Sequence, residues 1–115
     1  MPYTVYTKHK RTSSYIDDTV RTLANISERF RAGEVYNIAG KDEHDMKYAS
    51  DFILRYLEKN DNLVEYRETE PSTTMDKKVD ASKAARELGH KSTVSLTDGI
   101  ARTIEWQKKV YANDG

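Results

Sequence analysis

Cysteine is absent from the chain, which excludes disulfides and thiolate metal sites. Glycine is sparse and scattered: Gly33, Gly40, Gly89, Gly99 and Gly115 do not cluster. The chain therefore lacks the glycine-rich turn, after a strand and opening a helix, that lets backbone approach a dinucleotide pyrophosphate. No apolar run is long enough to span a bilayer, and the opening Met-Pro-Tyr-Thr-Val-Tyr is not a signal peptide. An excess of one charge is also missing. Lys and Arg total 19 and Asp and Glu total 19, so the formal net charge is zero, which argues against general binding to nucleic acid or to a membrane surface. His9, His44 and His90 stand far apart in polar text without ligand spacing, so no metal site is expected. A cytoplasmic location is the default expectation.

What is present suits a single domain over residues 1–115 with a modest core. Charged residues (33%) nearly equal hydrophobic ones (37%), so most of the surface is solvated and eight tyrosines with one tryptophan supply much of the large apolar area. The stretch 11–26 organises the rest. Its Thr-, Ser- and Tyr-rich start suits an extended segment over residues 11–16. Asp17 is expected to cap the helix that follows, and Asp18 to place a negative charge in its first turn. Val20, Leu23 and Ala24, with Ser27, fall on one face of that helix, which reaches about Arg29. Gly33 is then free to take a left-handed conformation.

Further strands are expected at residues 4–6, at 34–38 by alternation, and at 63–67. A second helix is expected over 46–59, with Tyr48, Phe52, Ile53, Tyr56 and Leu57 as its apolar stripe. Asp80 and Gly89 bracket a third helix over 81–88. Ser95 and Asp98 form a capping box for a last helix running to about Ala112. Four short strands interleaved with four helices give an α/β (α+β) fold: a small sheet with about four helices. Asp17 and Asp18 read as caps, not as paired catalytic carboxylates, and Glu43, His44 and Asp45 as loop and helix-start residues.

The stretch Tyr15-Ile16-Asp17-Asp18-Thr19-Val20-Arg21-Thr22-Leu23, with Arg11 a few residues before it, carries a resemblance. It continues in Gly33-Glu34-Val35-Tyr36-Asn37-Ile38, in Val79-Asp80-Ala81-Ser82-Lys83-Ala84, and in Glu87-Leu88-Gly89-His90. It closes with Ser95-Leu96, Gly99-Ile100 and Thr103-Ile104-Glu105-Trp106. In this order the pieces resemble the C-terminal, substrate-binding part of the extended short-chain dehydrogenases, the NAD-dependent sugar-nucleotide epimerases and dehydratases. The resemblance implies that subdomain without its NAD-binding Rossmann half.

Arg11 is the one site residue the resemblance carries over. In the family an Arg here faces the diphosphate of the sugar nucleotide, for which a guanidinium fork is well suited. The bland alternatives are a solvated Arg11, or one paired with Asp17 or Asp18. Met75 stands where the family commonly has a second phosphate-binding Arg, and Asp76 beside it repels an anion. The family's catalytic Tyr and Lys lie four residues apart on a helix. Tyr6 and Lys10 match that spacing, but they fall in the strand and turn before Arg11. No catalytic, cofactor-binding or metal-binding residue is therefore assigned, and no cofactor is expected.

The expectation is a free-standing remnant, inactive by itself, with residual binding of a nucleoside-diphosphate sugar or an interaction role; a chain cut from a longer protein reads the same way. Alternatives are a subunit completed by a separate Rossmann-domain partner chain, and a pure interaction module. A missing half would leave a strand edge at 34–38 and apolar faces exposed. Self-association as a homodimer, by edge pairing, helix packing or exchange of N-terminal strands, would cover them.

Overall fold

A computed structural model describes residues 1–112. Eight elements run in the order β1 (Tyr3–Tyr6), β2 (Lys10–Arg11), α1 (Ile16–Arg29), β3 (His44–Asp45), α2 (Met46–Tyr56), β4 (Val64–Arg67), α3 (Ser82–Leu88) and α4 (Leu96–Ala112). The fold is mixed α/β, as the alternation of elements predicts. β1 and β4 pair in parallel, Tyr3 opposite Val64 through Tyr6 opposite Arg67. β2 and β3 pair antiparallel, Lys10 opposite Asp45 and Arg11 opposite His44. α2 packs on β1 and against α4, while α1 packs on α3.

Local chemistry explains most element boundaries. The Asp45 carboxylate accepts from the Tyr48 amide at 2.6 Å and starts α2. The Asp80 carboxylate accepts from Ser82 N at 2.9 Å just before α3, and its bonds to Ser82 hold its carboxyl below the usual range, but the N-cap position is Ala81, one residue later than expected, with no side-chain cap bond. Gly89 ends α3 at φ +66°, a left-handed cap open to glycine at little cost. The Ser95 hydroxyl accepts from Asp98 N at 3.2 Å at the start of α4. Gly33 does adopt positive φ, +80°.

Three further expectations are corrected. The segment 34–38 alternates in sequence but is not a strand, because among the described residues no neighbouring strand lies beside it to complete a ladder. It is held instead by Lys83, whose ammonium pairs with Glu34, donates to Val35 O at 3.0 Å and lies 4.8 Å from the Tyr36 ring centroid. The strand expected over 11–16 shrinks to Lys10–Arg11 for the same reason: its partner β3 is only two residues long. Asp17 does not cap α1. The N-cap position is Tyr15, with no side-chain cap bond.

Which face of α1 lies inside is set by polar groups. The apolar stripe is out: Val20 and Leu23 are each 52% exposed, and Ile16 is 61% exposed. The face turned inward carries Asp18 and Thr22. The Asp18 carboxylate accepts from Thr93 N at 2.9 Å, Thr93 Oγ1 at 2.6 Å, Val94 N at 3.1 Å and Arg21 Nη1 at 3.2 Å. Thr22 Oγ1 lies 2.7 Å from His90 Nδ1, and His90 Nε2 lies 2.8 Å from Ala39 O. A carbonyl only accepts, so Nε2 carries the hydrogen there. This buried relay joins α1, the end of the 34–40 segment and the connection into α4.

Apolar burial among the described residues is modest: Val5, Ala39, Ala49, Ala84 and Leu88, matched by five buried polar residues. The shape is a plate of 49 × 38 × 21 Å. Its radius of gyration is 16.8 Å, against about 13 Å for a compact domain of this length.

Burial alone would raise the Asp18 carboxyl, but the Thr93 hydroxyl, the Val94 and Thr93 amides and Arg21 outweigh it and hold it below its ordinary value. A depressed carboxyl contributes stability that is complete above the unfolded value and is lost as pH falls through the folded one. Asp18→Ala is expected to lower stability at pH 7 by about 3 kcal/mol, since it strands buried donors. Urea melts of both proteins from pH 7 to pH 2 check this. The gap between them should persist down to about pH 4 and close below it.

Candidate diphosphate site

The site lies where β2 and β3 meet the irregular segment after β4. Lys10 N donates to Met75 O at 2.8 Å and Lys77 N to Lys10 O at 3.4 Å, so the 75–77 segment runs alongside β2. His9 anchors the same segment from further back. Its buried Nε2 accepts from Glu70 N at 3.0 Å, which requires that nitrogen to be unprotonated. The His9 carbonyl meanwhile accepts from Met46 N at 3.0 Å, fixing β2 to the start of α2.

Arg11 sits on this junction, half-buried. Its Nη1 donates to Lys10 O at 2.7 Å and to Met75 O at 3.0 Å. It forms no ion pair with Asp17 or Asp18, because Asp18 is already committed to Thr93, Val94 and Arg21. The two positions singled out in sequence, Arg11 and Met75, are thus brought together across 64 residues. The resemblance implies two guanidinium groups here; Arg11 supplies a guanidinium against the Met75 carbonyl, and Met75 carries a thioether where the second is expected. The main-chain bonds fix the guanidinium. Its Nε and Nη2 hydrogens make no bond among the described residues, which leaves donors for an anion.

Tyr6 ends β1 and Lys10 opens β2, so their spacing is not that of a helical pair; the Tyr6 ring lies 5.7 Å from His9. Among the described residues no group of three or more His, Asp or Glu is arranged to hold a metal ion, and no helix is long and apolar enough to cross a membrane.

Two features have no counterpart in the sequence reading. Ser13 Oγ lies 2.7 Å from His44 Nε2 and fastens the β2 end to β3. Gly40 N donates to Thr12 O at 3.2 Å, and a Cβ there would fall 1.7 Å from Ser13 O. The Thr12–Ser13 backbone next to Arg11 therefore keeps its course only if residue 40 has no side chain. A lone glycine between Ala and Lys gives no local sign of that. The polar pair Asp18 and Thr22, one helical turn apart, is the visible hint of the buried relay.

This architecture is similar to the substrate-side part of extended short-chain dehydrogenases. The UDP-glucuronic acid 4-epimerase of Bacillus cereus, solved with UDP-glucuronic acid and NAD, matches 96% of this chain at TM-score 0.82 and 27% identity, and the match covers 36% of that protein. A dTDP-glucose 4,6-dehydratase of Streptomyces venezuelae with NAD bound matches 95% of the chain at TM-score 0.81 and 28% identity, over 34% of its own length. In sequence, dTDP-glucose 4,6-dehydratase of Streptomyces griseus is 35% identical over 95 residues, 83% of this chain. The Escherichia coli K12 dTDP-glucose 4,6-dehydratase 1 is 32% identical over 102 residues, 80% of this chain. No protein-family profile matches the chain. Its homologues are thus dTDP-glucose 4,6-dehydratases and UDP-glucuronic acid 4-epimerases, and the matches are consistent with the C-terminal, substrate-side part of an extended short-chain dehydrogenase. The chain spans only 29% and 27% of the length of those two dehydratases.

Gly40→Ala is expected to destabilise the fold by roughly 2 kcal/mol, since backbone must move to admit the methyl group. The shift should be local, and amide NMR should show the largest changes at residues 12, 13 and 40. Unchanged spectra and stability would contradict the close approach.

Proposed function

We propose that this unit binds the diphosphate of a nucleoside-diphosphate sugar through Arg11, weakly, and carries out no oxidoreductase turnover by itself. The observation that carries the reading is the guanidinium held at the β2 junction against the Met75 segment. Its relatives are enzymes on dTDP-glucose and UDP-glucuronic acid, and the same ligand class is the natural probe here. One guanidinium instead of two accounts for the weakness: a bidentate charge-assisted contact is lost at Met75, and Asp76 adds repulsion. Dinucleotide binding has no glycine-rich turn to support it in these residues. A cytoplasmic setting suits a chain without cysteine.

A second reading is favoured by the unladdered 34–38 segment and the exposed stripe of α1. Both are surfaces made to be covered. On this reading the unit works in an assembly, either with an NAD-binding Rossmann partner chain that completes an epimerase or dehydratase, or as a homodimer.

Calorimetry with dTDP-glucose and UDP-glucuronic acid tests the first reading. Binding in the high micromolar to millimolar range is expected, reduced at least tenfold in Arg11→Ala. Met75→Arg should strengthen binding several-fold by restoring a second fork. Equal heats from wild type and Arg11→Ala would remove the diphosphate site. NAD reduction by the purified chain with either sugar nucleotide would overturn the claim of no turnover.

A further inference from the structure

We propose that Ser13 and His44 form a nucleophile and base pair that hydrolyses small activated carboxylic esters, with Ser13 Oγ attacking the ester carbonyl and His44 Nε2 taking its proton. The chemistry calls on neither a sugar nucleotide nor Arg11, so this activity and the diphosphate site can fail separately.

Hydrogen positions at the pair follow from the partners. His44 Nδ1 lies 3.1 Å from Asp45 O, and a carbonyl only accepts, so Nδ1 carries a hydrogen. In the neutral ring Nε2 then holds a free lone pair. Ser13 Oγ lies 2.7 Å from it, so the hydroxyl donates to Nε2. That is the direction a general base requires: the nucleophile aims its proton at the base, and a third group fixes the ring from behind. The orienting group is the Asp45 main chain, because the Asp45 carboxylate is taken by Tyr48 N as the cap of α2.

The backbone under both residues is held from two sides. β2 pairs with β3, Arg11 opposite His44, which brings residue 13 within reach of the imidazole. Gly40 N donates to Thr12 O, and Gly40 lies so near Ser13 O that no side chain fits between them. Ser13 is nevertheless exposed, so its hydroxyl is open to an incoming molecule.

Ser13 and His44 both line a cavity of about 610 Å³. Leu96 and Thr97, the first residues of α4, line it too. Their amides have no carbonyl within the helix to bond, whereas the next two, Asp98 N and Gly99 N, are bound by Ser95. Main-chain N–H groups facing the same cavity as a nucleophile are donors suited to a carbonyl oxygen that gains negative charge. Lys10 and Lys41 stand in the wall with Asp42 and Glu43, and this mixture of signs suits a small uncharged ester better than a highly charged substrate.

Water is the one co-reactant. Ser13 Oγ bonds to the ester carbonyl carbon as its proton passes to His44 Nε2. The bond from that carbon to the alcohol oxygen breaks, and His44 returns the proton to the departing oxygen. Water then adds to the acyl-serine, His44 takes a proton from it, and the bond to Oγ breaks as Oγ regains its hydrogen. The sum is ester plus water giving acid plus alcohol.

The probe is p-nitrophenyl acetate. Release of p-nitrophenolate by the wild-type chain is expected to be at least tenfold faster than by Ser13→Ala or His44→Gln. Acid quenching and peptide mapping should place the acetyl group on Ser13. His44→Gln separates catalysis from a mere clasp between β2 and β3: the amide oxygen still accepts from Ser13, but it is no base. Its far-UV circular dichroism and urea melt should match wild type. Ser14→Ala, whose native hydroxyl lies 2.9 Å from Thr19 Oγ1, should react as wild type does. Equal rates from wild type and His44→Gln overturn the proposal. So does an acetyl group found on lysine or tyrosine side chains and not on Ser13, a result read on the wild-type protein even where a variant fails to fold.

Discussion

The carboxylate of Asp18 holds this fold at its narrowest point. It is fully buried, yet it accepts two amides, a hydroxyl and a guanidinium hydrogen. Those bonds tie the first turn of α1 to the connection that launches α4. One turn further along α1, Thr22 and His90 extend the tie to Ala39. Apolar burial in the chain is too small to fix these elements relative to one another, so directional bonds do it. A buried charge is costly unless its lone pairs are met, so losing any one of these partners leaves the Asp18 charge less compensated.

The position of Arg11 follows from that framework at one remove. Ala39 is pinned by His90, and Gly40 next to it lies against Thr12 and Ser13. Ser13 in turn holds His44 on β3, opposite Arg11. A chain of contacts thus runs from the buried relay to the guanidinium. Placement of this cation is a matter of backbone control, since Arg11 is held through the carbonyls of Lys10 and Met75.

Much of the secondary structure is legible in the sequence because short-range chemistry decides it. The Asp45 and Ser95 caps, the Gly89 stop and the helical stripe of α2 act within a few residues of themselves, and the helices stand where those signals are. The segment 34–38 departs from its pattern because a strand is a property of two segments, and alternation describes only one. Asp17 and Asp18 depart for a related reason. A carboxylate just before an apolar run suits a cap, but Asp17 makes no cap bond and Asp18 meets better donors 75 residues away. Of the site, Arg11 and Met75 can be picked out by resemblance, while Gly40, Ser13 and His44 cannot. Their roles depend on a backbone approach that no local pattern encodes.

By itself the sequence determined where the helices lie to within a few residues, that the fold mixes helices with short strands, and which family it resembles, because capping, periodicity and ordered motifs are carried by neighbours along the chain. Tertiary structure alone decided which side of α1 is inside. Hydrophobic periodicity marks a face that gains from burial but cannot say what will bury it. Polar partners 68 to 76 residues distant claimed the opposite face and left the apolar one outward.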